Sequence, residues 1–215
     1  PDLGRLLRYL DEVGNGMSLF DVPLHFAFLT AATSDGNFDL GKIFQNTLVG
    51  SRPQQAVTFV DNHDTQPGQA LASFIPAWFK PIAYALILLR KDGLPCVFYG
   101  DYYGIPHDGI APVPGLRALL KLRKEWAYGE QEDYLDDPSL VGFVRRGDEE
   151  HPDSGMAVVM TDSVAGVKKM GMGNRFASVS LYDALGHFSE PVVLDQAGDG
   201  EFPVQGGSVS VWVRE

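Results

Sequence analysis

Three short runs, each almost continuously apolar, punctuate the first half of the chain: residues 17–21 (MSLFD), 56–61 (AVTFVD) and 94–99 (LPCVFY). Parallel strands covered on both faces lack the alternation of half-exposed strands, so these runs predict buried strands. Between them the period lengthens. Leu40, Ile43, Phe44 and Leu48 fall on one face of an amphipathic helix predicted over residues 40–49. Residues 78–90 are almost wholly apolar and predict a buried helix, with Pro81 tolerable only near its first turn. Residues 115–126 repeat leucine at helical spacing with arginine and lysine opposite. Alternating strands and helices define a parallel α/β layer. Three such units are too few for a closed eight-fold barrel and enough to be part of one.

After Tyr128-Gly129 the pattern changes. Residues 141–145, 156–160, 167–170, 178–182, 192–194 and 208–213 are short strand candidates, several separated by turn signals such as Gly198-Asp199-Gly200 and Gly206-Gly207. Val209, Val211 and Val213 alternate with Ser208, Ser210 and Trp212, the period of two expected of a strand. This half predicts a small antiparallel β-sandwich, with the boundary near residue 128.

Composition changes this picture little. A hydrophobic fraction of 45% with 21% charged residues is ordinary for a packed chain of 215 residues. The net charge of −11 argues against nucleic acid and anionic membrane surfaces as partners. The acidic stretches at 130–137 and 148–153 predict solvated loops. Cys96, the one cysteine, excludes an intrachain disulfide and, set in an apolar run, predicts a small buried thiol. No apolar run reaches the roughly eighteen residues of a membrane span. The chain begins at Pro1 without methionine or signal peptide, and that start says nothing about secretion or compartment.

The densest group of reactive side chains is Asp61-Asn62-His63-Asp64-Thr65, which follows the run at 56–61 and precedes the turn Gln66-Pro67-Gly68. Ionisable residues at the C-terminal end of a parallel strand stand where α/β barrels keep their active sites. Adjacent His63 and Asp64 could there address one ligand. The same residues also suit a loop in which Asp61 and Asp64 cap the next helix. Spacing alone leaves both readings open, whereas no serine nucleophile elbow and no His-x-x-x-His pair is present.

FVDNHDT resembles a signature segment of the α-amylase family, the one that ends on the seventh barrel strand. The resemblance extends in order along the chain. MSLFDVPLH is similar to the sixth strand and its exit, and WFKPIAYALILLR to the helix after the seventh. GLPCVFYGDYYG is similar to the eighth strand and its loop, AYGEQEDYLDD to the start of the C-terminal domain, and GGSVSVWV to that domain's closing strand. Bacterial liquefying-type and cytoplasmic members are closest in character. The resemblance therefore implies residues 1–128 as the C-terminal portion of a (β/α)8 barrel, strands six to eight, and residues 129–215 as a β-sandwich domain.

The resemblance also implies function. Family members hydrolyse internal α-1,4-glucosidic bonds of starch or glycogen with retention, using a carboxylate nucleophile and a carboxylic acid/base. Asp64 matches the third carboxylate, which binds sugar hydroxyls and steadies the transition state. His63 matches the histidine that hydrogen-bonds the same sugar, and Gln69 resembles a residue near the cleft. The nucleophile and acid/base would precede Pro1, so the segment alone is expected to be inactive and to need the N-terminal half. Leu6, Leu7, Leu10 and Val13 resemble the helix after the acid/base strand. Asp21 and Asp101, at two strand exits, are expected to serve structure or outer subsites. Related transglycosylases, α-glucosidases or a non-catalytic sugar-binding role are the alternatives. Calcium is expected in the intact enzyme, its main ligands upstream. A further family site would map to backbone oxygens of Gly36, Phe38 and Pro138 and side chains 139 and 162. Asp162 suits it, and Ser139 stands where a carboxylate is wanted.

Overall fold

The structure, a computed structural model, describes residues 2–215, the side chain of Asn15 excepted. Asp2 starts helix α1 (Leu3–Val13) by accepting a hydrogen bond from the Gly4 N–H at 2.9 Å. Leu3, Leu6, Leu7 and Leu10 turn one side of α1 to the core. Strands β1 (Leu19–Phe20), β2 (Ala56–Phe59) and β3 (Leu94–Cys96) form a parallel sheet in that order, with Leu19 beside Ala56 and Val57 beside Leu94. Helices α2 (Val22–Thr33) and α3 (Leu48–Ser51) connect β1 to β2. Helix α4 (Lys80–Leu88) connects β2 to β3, and α5 (Tyr99–Tyr103) and α6 (Leu116–Glu125) follow.

Each strand is shorter than its apolar run because the run's end is spent on the exit. Asp21 caps α2, Phe98 precedes α5, and Asp61 turns its carboxylate into the protein. The helix expected over residues 40–49 is not continuous. A 3₁₀ turn at Leu40–Lys42 is followed by Asn46 in the left-handed region (φ 59°) and by Thr47 capping α3. Leu40, Ile43 and Leu48 are nonetheless fully buried, so the periodicity reported burial correctly while the backbone was interrupted. Helix α4 lies within its expected span, two residues shorter at each end, with Pro81 in the first turn.

Cys96 is exposed, against the buried thiol expected from its apolar neighbours. Among the described residues β3 pairs only with β2, so its outer side is an open edge. Leu94 (50% exposed) and Phe20 on β1 (49%) share that situation.

The second half is antiparallel. Strands β4 (Gln131–Tyr134), β5 (Leu140–Arg145), β6 (Met156–Thr161), β8 (Ser180–Asp183), β9 (Val192–Val193) and β11 (Ser208–Val213) form one sheet in the order β4-β5-β6-β11-β8-β9. Strands β7 (Gly166–Gly171) and β10 (Asp199–Val204) pair as a separate ribbon. The inner strands bury both faces. Val141, Phe143, Val158, Met160, Val209 and Val211 join the core containing α4 and α6. Val144, Ala157, Val159 and Trp212 pack on the other side against Met170, Phe202 and Val204. Two strands were not foreseen. β4 lies in the acidic stretch taken for a loop, and β10 begins on the Gly198-Asp199-Gly200 turn signal. No helix among the described residues is long and apolar enough to cross a membrane.

Candidate active site

The turn after β2 is built by its own polar side chains. Asn62 Oδ1 accepts hydrogen bonds from the N–H groups of Asp64 (2.9 Å) and Thr65 (3.0 Å), an asparagine-stabilised turn. Asn62 N–H donates to Thr65 Oγ1 at 3.0 Å, and that hydroxyl donates to Asp61 Oδ1 at 2.8 Å. Asp61 Oδ2 accepts from the Ile75 N–H at 3.2 Å and lies 2.8 Å from Lys80 Nζ. Burial pushes the Asp61 carboxyl up to about 6, although Lys80 and Thr65 favour its ionised form.

The four acids at the strand exits divide sharply. Asp21 is buried, its oxygens accepting from the N–H groups of Leu24 (3.1 Å), Leu48 (3.0 Å) and Val49 (2.7 Å), so it ties α2 to α3. Burial still raises its pKa. Asp101 is buried against Lys80 and accepts from the Tyr84 hydroxyl at 2.6 Å. Asp61 is engaged as described. Asp64 caps no helix. Its side chain is 56% exposed and its described partner is the imidazole of His63, at 3.4 Å. The fold consumes three of these carboxylates and leaves Asp64 presented outward.

A cavity of about 480 Å³ lies beside Asp64, lined in part by His25, Phe26, Phe59, Asn62 and Leu71. His25 Nδ1–H donates to the Val60 carbonyl (2.6 Å), its Nε2 lies 2.9 Å from Ser73 Oγ, and its ring stacks on Phe59 at 5.3 Å. Burial lowers the His25 pKa, which keeps this ring neutral at neutral pH. His63 and Gln69 are exposed nearby and do not line the cavity. Sequence reasoning missed Asn62, Thr65, His25 and Lys80 as supports of this turn. Lys80 carried a signal of its own, as a charge near the start of the apolar stretch at 78–90.

The calcium site implied between the two halves fits only at Asp162. Asp162 is 7% exposed, both its carboxylate oxygens lack a hydrogen-bond partner among the described residues, and desolvation pushes it up to about 6. Gly36 lies against the Asp162 backbone, and the Pro138 carbonyl accepts the Leu40 N–H at 2.7 Å with a second lone pair to spare. Ser139 adds no charge where hard cations favour several carboxylates. This donor set falls short of a calcium site. A buried acid without a partner costs stability when ionised. Asp162→Asn therefore raises the thermal midpoint at pH 8 by a few degrees, about the shift of 1 kcal/mol in a chain this size. A fall in midpoint, reproduced in the unmutated chain by a chelator, would show that Asp162 holds a cation.

Residues 156–213 match the family model described as alpha-amylase C-terminal. That stretch is therefore similar to the C-terminal domain of alpha-amylases. Over 99% of its length the chain is 50% identical to an alpha-amylase of Geobacillus stearothermophilus and 48% identical to one of Bacillus licheniformis. It is 40% identical to the cytoplasmic alpha-amylase of Escherichia coli (strain K12) over its full length. It covers 39%, 42% and 45% of those three proteins, so it spans less than half of the relatives it matches. By sequence, the chain is similar to the C-terminal part of bacterial alpha-amylases. A solved Anoxybacillus alpha-amylase shares the fold with a TM-score of 0.61 at 16% identity, covering 92% of this chain and 47% of that one. A solved gamma-CGTase of alkalophilic Bacillus clarkii does so at 0.57 and 20%, covering 88% and 31%.

Proposed function

We propose that this chain is the C-terminal portion of an α-amylase that hydrolyses internal α-1,4-glucosidic bonds of starch or glycogen with retention, and that Asp64 is one of three carboxylates in its active site. The observation that carries this reading is the uncommitted carboxylate of Asp64, at the exit of a parallel strand, beside a cavity and next to His63. Identity of 40–50% to proteins named alpha-amylases supplies the reaction class.

In this reading β1, β2 and β3 are the sixth to eighth strands of a (β/α)8 barrel, and residues 129–215 are the appended β-domain. The nucleophile and the acid/base lie in the preceding half of the enzyme. Retention needs those two groups on opposite sides of the scissile bond, with an oxocarbenium-like transition state between them. Asp64 and His63 bind hydroxyls of the sugar that flattens, and Gln69 contributes at the rim of the cleft. Such hydrogen bonds accelerate the reaction to the extent that they tighten in the transition state. Calcium, where the intact enzyme uses it, is held chiefly by residues outside this chain and supplies rigidity.

A transglycosylase on the same scaffold is the second reading, favoured by the fold shared with gamma-CGTase. The far higher identities to alpha-amylases favour hydrolysis. The 215-residue chain, which carries one of the three carboxylates, is expected to show no sustained release of reducing ends from soluble starch. The full-length enzyme is expected to release them as α-anomers. Turnover by the chain alone would place a complete catalytic set within residues 1–215 and overturn the assignment.

A further inference from the structure

At the opposite end of the parallel sheet from Asp64, where α4 finishes, the charge of the protein inverts. A cavity of about 430 Å³ is lined by Arg90, Lys91, Arg123, Lys124 and Arg145, together with Tyr128 and apolar side chains. Five cations round one cavity, in a chain with a net charge of −11, call for a local explanation. Part of it is structural. Arg90 is held by Asp133, at 2.5 and 2.9 Å, and by Asp92 at 3.3 Å. Arg123 donates to the Leu88 carbonyl and Arg145 to the Leu89 carbonyl at 3.1 Å. Both therefore cap the end of α4, where the helix dipole favours positive charge.

Those contacts account for partial charges and leave two full ones. Arg123 and Arg145 have no carboxylate partner among the described residues. Arg145 is 6% exposed and spends Nε, Nη1 and Nη2 on the backbone oxygens of Gly129 and Leu89. Burial, followed by the charge of Arg123, lowers the pKa of Arg145. Burial also lowers that of Arg123. Asp92 and Asp148 favour the charged form of Arg145 from a distance, and Asp148 is itself engaged with His151 at 2.8 Å. Arg123 has donated one of its five N–H groups to protein, and its side chain lines the cavity. Two like charges held together in a partly desolvated wall repel, and an anion between them converts the repulsion to attraction.

We propose that this cavity binds a phosphate group, held by the free N–H groups of Arg123, with the buried charge of Arg145 behind it and Lys91 and Lys124 at its mouth. Guanidinium groups match a tetrahedral oxyanion through paired N–H donors, and the lysines contribute as point charges at the solvent edge. The volume accommodates a free phosphate with its bridging waters or the phosphate of a sugar monoester. The site is remote from Asp64 and independent of any catalytic role for it.

The test uses the 215-residue chain at pH 7.5 and constant ionic strength, with chloride as reference ion. Inorganic phosphate and glucose 6-phosphate are titrated in separate arms by calorimetry, with the thermal midpoint as a second readout. Phosphate is expected to bind with a millimolar or lower Kd and to raise the midpoint progressively, as a ligand of the folded state must. Arg123→Gln is expected to weaken binding at least tenfold, and Lys124→Gln by several-fold. Lys42→Gln, a surface lysine paired with Asp39 outside the cavity, leaves binding unchanged. Tighter binding of glucose 6-phosphate than of phosphate identifies the sugar ester as the occupant, and equal or weaker binding identifies the free anion. Absence of binding at tens of millimolar phosphate, or undiminished binding in Arg123→Gln, overturns the proposal.

Discussion

Asp64→Asn in the full-length enzyme lowers kcat by about 10³-fold or more, with KM changed only a few-fold. Removal of a single neutral donor to a developing charge typically costs about 10²–10³ in kcat, and a carboxylate facing an oxocarbenium-like centre contributes more than a neutral group. The substitution keeps the shape of the side chain and removes its charge. The turn does not depend on that charge, because Asn62 holds the Asp64 N–H and Asp61, Thr65 and Lys80 hold the backbone on either side. The variant should therefore melt within a degree or two of the parent. A combined fall in kcat and kcat/KM at unchanged stability is the signature of an interaction made in the transition state. Steady-state kinetics on soluble starch with parallel calorimetry decide the matter. Activity within tenfold of the parent would remove Asp64 from the catalytic set.

Not every part of this arrangement was open to reading from the sequence. Near-continuous apolar runs located the three parallel strands because both faces of each were patterned for burial. The same property misplaced Cys96: a run can report the burial a strand is composed for, but not whether its neighbour is present. The break at Asn46 and Thr47 within the expected 40–49 helix is a backbone event, fixed by one left-handed residue and one hydroxyl cap, and it leaves the apolar periodicity intact. Strand β4 was hidden because an edge strand with Glu132 and Asp133 exposed looks like a solvated loop until its pairing with β5 is known. The candidate site divided in the same way. His63 and Asp64 could be singled out as chemistry at a strand exit, and the resemblance gave them roles. Which acids the fold would consume depended on partners far along the chain, such as Lys80 for Asp61 and Asp101 or Val49 for Asp21, which spacing does not encode.

Lys80→Met destabilises the chain by about 3–5 kcal/mol at pH 8, the usual result of removing one partner from a buried ionic group. Lys80 is 2% exposed, lies 2.8 Å from Asp61, contacts Asp101, and sits over the ring of Phe74 at 3.3 Å. Methionine is close to its volume, so the loss is electrostatic. Two carboxylates at consecutive strand exits then share a dry site with no cation. The loss depends on pH in a direction the parent already displays. Asp61 ionises near 3.8 in the unfolded chain and near 6 in the folded one, so between these values the folded state holds more protons. Its contribution to stability accordingly declines as pH rises through that window. Without Lys80 the folded value moves higher still, because the cation that favoured ionisation has gone. The difference between variant and parent is therefore expected to shrink by half or more from pH 8 to pH 5, as Asp61 takes up its proton. Asp61→Asn and Asp101→Asn added to Lys80→Met remove the uncompensated charge altogether and recover most of the midpoint at pH 8, a non-additivity expected of groups in direct contact. Thermal unfolding of the single and triple variants across this range is the measurement. A destabilisation independent of pH, or no recovery in the triple variant, would mean that Lys80 acts through packing and that the ionic link between the two strand exits contributes little.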